Sequence, residues 1–375
     1  MTEFLTLPGA VSGEGPDAGV AAHYGNPVLE QRALEHGGAV VDLSHRSVLA
    51  IPGEDRLTWL DSLTSQSLRG LAPGESAETL LLDPNGRLEH AVRVLDDGET
   101  AWLLVEREQA EQLLAWLSRM RFMLRVEPQD RTADYATIAT FGDPAALGLP
   151  VAAPNDIPLA WRDPWSAVRP GGHQYSHAED HPGGQWRETE VLVPRAELGS
   201  VAARVASGEL NAAGTLALEA LRIAAWRPRF GAEVDERSIP HELDWLRTAV
   251  HLTKGCYRGQ ETVAKVHNLG KPPRRLVLLH LDGSDAVLPG PGAVVLAPRE
   301  GEEPVAVGAV TSSALHHELG PVALAVIKRS VAPDAPLLVL ADDVSIAAAQ
   351  EVIVPPDAGA VANVPRIPRL GRVTR

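Results

Sequence analysis

The chain has a single cysteine, Cys256, among 375 residues. That excludes an intrachain disulfide and any zinc or iron–sulfur site built from several cysteines of one chain. A lone thiol is left the roles of nucleophile, redox handle or single cluster ligand. Cations are also scarce, 34 Lys and Arg against 49 Asp and Glu, for a formal charge of −15. Nonspecific nucleic-acid binding needs a basic surface to displace counterions, so no direct nucleic-acid partner is expected. An anionic small molecule is still permitted, because a local basic pocket focuses its own field. No run approaches the ~18 apolar residues of a membrane span. No Lys or Arg precedes Arg32 and no signal-peptide core is present, so the expectation is a soluble cytoplasmic protein.

A chain of 375 residues is too long for one ordinary core, and two or three domains are expected. The first 22 residues, rich in Gly, Pro and acids, read as a loose arm. Asn26-Pro27 opens a helix to His36 with Gly37 as its stop, and strands follow at 39–43 and 47–51. Gly53-Glu54-Asp55 starts a second helix with Leu57, Leu60 and Leu63 on its apolar face. Strands at 79–82, 88–95 and 101–105 are separated by Asp83-Pro84-Asn85-Gly86 and Asp96-Asp97-Gly98 and form a meander. An amphipathic helix over 106–120 and a short strand at 124–126 complete an α+β layer.

Residues 142–185, dense in Pro, Gly, His and Trp, read as a long loop or insertion. His173, His177 and His181 would align on a helix, but the Pro-Gly-Gly triplets at 170–172 and 182–184 discourage one, and no metal site is expected. A strand at 188–193 and helices at 195–207 and 215–225 restore order. From about Arg275, short strands between Gly and Pro turns mark a small all-β domain.

The segment richest in chemistry is Lys254-Gly255-Cys256-Tyr257-Arg258-Gly259-Gln260-Glu261. Gly255 and Gly259 permit a tight path around the thiol, and the residues from Gln260 read as the first turns of a helix. A thiol close to a helix N-terminus, with Lys254 and Arg258 near it in sequence, should favour its thiolate. Polar, glycine-flanked surroundings argue against a buried, inert cysteine.

This octapeptide resembles the signature of the YgfZ family of folate-binding proteins, relatives of the glycine-cleavage T protein (an aminomethyltransferase). His23-Tyr24-Gly25, Val41-Asp42-Leu43-Ser44-His45, Leu221-Arg222-Ile223 with Ile239-Pro240, and Gly308-Ala309-Val310-Thr311-Ser312-Ser313 are similar to further segments of that superfamily. The resemblance runs from His23 into the 340s. It implies an α+β, GcvT-like multi-domain fold. Residues 23–50 with 136–274 would form a folate-binding domain carrying the octapeptide, and 51–135 a ferredoxin-like α+β domain. A C-terminal β-barrel would occupy 275–355 and a tail 356–375.

The resemblance also implies tetrahydrofolate or a related reduced folate as ligand. A carboxylate for the pterin edge would come from Glu190 and an arginine for the glutamate tail from Arg222, with Gly255 and Gly259 on the ligand side of the loop. Cys256 would be the working residue, its loop shaped by Lys254, Tyr257, Gln260 and Glu261. The implied role is assembly or repair of iron–sulfur clusters in client enzymes, including tRNA-modifying ones, with client or assembly proteins as partners. The alternative is a folate-dependent aminomethyl- or methyltransferase. T proteins use an aspartate after a Gly turn, and Glu89 and His90 stand there in this chain. That substitution argues against a conventional aminomethyltransferase.

Overall fold

The computed structural model describes residues 2–284, 286–299, 301–341 and 344–362; most of the tail expected at 356–375 lies outside them. Ser76–Leu82, Leu88–Asp96, Thr100–Val105, Ser47–Pro52 and Gln129–Asp130 form an antiparallel sheet in that spatial order. Its strands are apolar at consecutive positions because both faces are covered. Leu49, Ile51, Leu103 and Val105 pack under the helices Arg56–Leu63 and Arg107–Met120. Val48, Ala50, Trp102 and Leu104, on the alternate positions, pack against Trp161 and Leu192 of a second sheet.

That second sheet orders Ala160–Arg162, Thr189–Pro194, Tyr135–Thr140, Ala39–Asp42 and Asn211–Ala213, antiparallel except for the last pair, which is parallel. The helices Pro27–Glu35 and Thr215–Ala224 cover it, and the second presents Ala217, Leu218, Leu221 and Ile223 to a core that the C-terminal unit shares. The C-terminal unit is a closed six-stranded barrel built from Arg274–Leu281, Gly320–Lys328, Glu302–His316, Val294–Arg299, Leu337–Ala341 and Val344–Val352. Val277, Leu279 and Leu281 point into the barrel, while Leu276 and Leu278 point out into the shared core. Among the described residues no helix is long and apolar enough to cross a membrane.

Three expectations are corrected. The N-terminal arm is not loose: Phe4 is fully buried against the second sheet, Val11–Ser12 pairs with Ala21–His23, and Asp17 accepts from Arg229. No strand forms at 124–126; the edge strand is Gln129–Asp130, because Phe122 turns the chain with a φ of 47° and delays its return to the sheet. Residues 142–185 carry one strand and two 3-10 turns, fixed by buried Trp side chains. Trp161 donates to Ala77 O, Trp165 to Ala225 O and Trp186 to Asp163. Among the described residues no cluster of His, Cys, Asp or Glu is placed to hold a metal ion.

Candidate functional site

The octapeptide leads into the helix Gln260–Leu269, and its conformation follows from a few contacts. Gly259 has a φ of 84°, and an added Cβ would lie 2.6 Å from Asp83 O and 3.1 Å from Gly86 Cα. The loop thus seats backbone to backbone on the Asp83–Gly86 hairpin turn. Tyr257 is buried, and burial pushes its hydroxyl pKa upward. The Gln260 amide donates to the carbonyls of Lys254 and Gly255, and Glu261 is exposed at the helix N-terminus. Cys256 is exposed. Gly255 has open space where a side chain would be, so no contact demands glycine there.

The two cations flanking the thiol are engaged elsewhere. Lys254 Nζ donates to the carbonyls of Asp61, Thr64 and Gln66 at 2.5, 2.8 and 2.7 Å. It thereby satisfies carbonyls at the C-terminal end of the helix Arg56–Leu63, where the helix dipole also favours a cation. Burial lowers its pKa, opposed by Asp61. Arg258 forms a two-pronged pair with Glu89 at 2.5 and 3.1 Å, and its guanidinium lies 5.9 Å from the Trp116 ring centroid. The sequence-based picture of two free cations acting on the thiol is replaced by two structural ones. Glu89 is consumed by the same pair. His90 is buried, which lowers its pKa and keeps the ring neutral.

A second assembly lies where the two sheets meet the N-terminal segment. Arg46 donates to Glu190 Oε1 at 2.5 Å, and Arg93 lies 3.3 Å from the same oxygen. Arg229 binds both oxygens of Glu106 at 3.0 Å and reaches Asp17 at 2.8 Å. Arg227 bridges Glu78 at 2.6 Å and Asp163 at 2.8 Å. Burial alone would raise Glu106, yet Arg229, Arg46 and Arg93 hold it well below the usual carboxylate range. Glu188 is the opposite case. Burial, then the charges of Glu190 and Asp163, push it up to about 8, so it keeps its proton at neutral pH.

Sequence reasoning named Glu190 but missed Arg46 and Arg93, which contact it, and Arg227 and Arg229, which pair with the neighbouring acids. The available signal was the pair Arg227 and Arg229 in the irregular stretch after Trp226, together with Glu188 two residues from Glu190.

The residues assigned to a folate fit it unequally. Glu190 is fully buried, and its Oε2 has no hydrogen-bond partner, which suits a pterin N–H edge. Arg222 does not suit a ligand carboxylate. Its five N–H groups go to Glu219, Glu233, Ser312 and the Arg227 carbonyl, which makes it a latch between the helix Thr215–Ala224 and the barrel. The space among Glu78, Arg93, Glu106, Arg227, Arg229 and Phe230 is about 10 Å³, room for no more than one water. The octapeptide and Glu190 are therefore separate features, joined through the hairpin of Glu89 and the strand that carries Arg93.

The GCVT N-terminal domain model matches residues 12–157. An aminomethyltransferase of Geobacillus kaustophilus is 29% identical over 317 residues, covering 81% of this chain and 82% of that one. A candidate chloroplastic transferase of Arabidopsis thaliana is 24% identical over 292 residues, 74% of this chain but only 64% of that protein. The crystal structure of the glycine cleavage system aminomethyltransferase T from Bartonella henselae superposes with a TM-score of 0.70 at 18% identity, covering 91% of this chain and 92% of that one. The fold is the aminomethyltransferase fold, α+β with a C-terminal barrel.

Proposed function

We propose that this is a cytoplasmic reduced-folate-binding protein that works through its exposed thiol loop rather than by one-carbon transfer, in the assembly or repair of iron–sulfur clusters in client enzymes, tRNA-modifying ones included. The observation that carries this reading is the Arg258–Glu89 pair. The acid nearest the position where a T protein keeps its aspartate is neutralised by a cation of the thiol loop itself, so it is not available to hold a folate nitrogen. The same pair fixes the loop that presents Cys256 to solvent.

In this reading Glu190 Oε2 accepts from the pterin edge, and Glu188 offers a proton-bearing neighbour that spares the site a further buried charge. A bound tetrahydrofolate would supply the reducing chemistry of a reduced pterin. The protein's part is to orient the ring and exclude water. Glu190 is fully buried, and the adjoining space lined by Arg93 and Arg227–Phe230 is too small for a bicyclic ring, so in this reading the buried cluster opens to admit the ligand.

Purified protein is expected to bind tetrahydrofolate and to form no methylenetetrahydrofolate from aminomethyl or methylamine donors. A knockout should lose cluster-enzyme activity, with restoration by the wild type and not by Cys256→Ala. The likeness to aminomethyltransferases over some four-fifths of the chain favours a second reading, a folate-dependent aminomethyl- or methyltransferase. Turnover above a no-enzyme control would establish it and end the first.

A further inference from the structure

We infer that the turn after the helix Arg107–Met120 is a docking surface for an acidic, apolar segment of a partner protein, which it brings to the thiol loop. The inference rests on the reading of Cys256 as a residue that acts on another protein. Phe122, Met123 and Leu124 are 77, 98 and 41% exposed, three consecutive large apolar side chains in solvent. Isolated exposed hydrophobes are ordinary, but a contiguous set is not. Phe122 also holds a φ of 47°, a left-handed conformation that a residue with a Cβ rarely adopts.

The turn is anchored on both sides. Trp59 Nε1 donates to Met120 O, Leu124 N to Arg121 O and Glu127 N to Pro52 O, while Arg125 is held by Asp55 and Glu54. It is a fixed apolar knob, and a preformed surface loses little entropy on binding.

Charge selects the partner. Arg119 and Arg121 flank the knob, are exposed, and have no ion-pair partner among the described residues, whereas Glu54 and Asp55 share the single cation Arg125, so these five side chains carry a net charge of +1. On a chain of net charge −15, this is a face where an acidic protein is attracted instead of repelled. Aromatic, Met and Arg side chains are also those enriched at protein interfaces. Arg119 and Trp116 further line a cleft of about 520 Å³ whose other wall is Glu89 and His90. Arg258 lies over Trp116 and is two residues from Cys256, so a segment seated on the knob and running along the cleft ends at the thiol loop.

The test places a photo-crosslinking benzoylphenylalanine at Met123 of the full chain in cells, with the same reporter at the exposed barrel residue Leu319 as control. The crosslinked peptide is then sequenced. The expected adduct is a segment of another protein rich in Asp or Glu beside apolar residues and absent from the Leu319 control. Its yield should fall about tenfold in R119E/R121E, and similarly when the crosslinking is repeated in cell lysate brought to about 0.5 M salt. A synthetic copy of that segment should bind the purified wild type and not R119E/R121E, whose melting temperature and tetrahydrofolate binding should match wild type. An adduct with a basic segment, with nucleic acid or with a second copy of this chain overturns the inference, as does a yield indifferent to charge reversal or no adduct above control. Cys256→Ala separates the two readings. If the adduct persists while that variant complements a knockout, the surface stands and the cluster role falls; if the adduct is missing while the variant fails to complement, the reverse holds.

Discussion

Lys254 and Cys256 stand two residues apart, and substitution should separate their roles sharply. The Lys254 ammonium is the donor for three carbonyls of the segment 61–66, so Lys254→Met should leave buried acceptors unsatisfied and cost about 3 kcal/mol in urea denaturation. Cys256→Ala touches an exposed side chain and should stay within about 0.5 kcal/mol. Glu188 offers a pH test. Its folded pKa, about 8, lies above the ordinary carboxylate value, so its contribution is complete in acid and is lost as pH rises through about 8. Wild type should therefore lose stability between pH 7 and 9, and Glu188→Gln should lose less. Asp244, raised to about 7 chiefly by burial, leaves a remainder in the variant. His181 and His241, lowered by burial to about 3 and about 4, are neutral in both states over this window and do not interfere. The octapeptide was legible as an exposed, glycine-flanked loop leading into a helix. The partners of its cations were not, since Lys254 reaches back some 190 residues and Arg258 reaches back 169.

Helices and strands with a regular apolar period were readable because local pattern and burial agree, as in Arg107–Met120 and in the meander from Ser76 to Val105. The arm and the 142–185 segment were not, because their order comes from single large side chains, Phe4, Trp161, Trp165 and Trp186, reaching distant partners. A segment dense in Pro and Gly can be rigid when tryptophans pin it. At this scale the two glycines of the thiol loop should part company. Gly259→Ala must take a left-handed φ and push a methyl onto Asp83 O, so a loss of about 2 kcal/mol or more is expected. Gly255→Ala meets open space at an ordinary φ and should be nearly silent in thermal melts. If Gly259→Ala also impairs complementation while Gly255→Ala does not, the seating of the loop on the hairpin is what the function needs.

Across the whole molecule, buried ion pairs tie units that are remote in sequence. Arg222 with Glu233 and Ser312 joins the helix layer to the barrel, and Glu233 reaches Thr311 as well. Arg222→Met leaves Glu233 short of its cation in a buried setting and should cost about 3–5 kcal/mol. Calorimetry should then show the barrel melting ahead of the rest, where wild type melts in one transition. Such couplings are invisible in sequence, because each charge alone looks like an ordinary surface residue. The turn spacing showed a small all-β domain, and its closure into a barrel was legible only through the family resemblance, because closure depends on strand tilt and stagger that no local pattern records.

The strand Arg274–Leu281 belongs to two cores at once, with Leu276 and Leu278 facing one way and Val277, Leu279 and Leu281 the other. A barrel cut free at Arg274 would keep its interior and bare a leucine stripe on its wall, beside Val322 and Leu324 of the neighbouring strand. The unit is thus recognisable yet not portable. Grafted onto another protein or expressed alone it should self-associate, and it can be inherited only together with the layers that cover it.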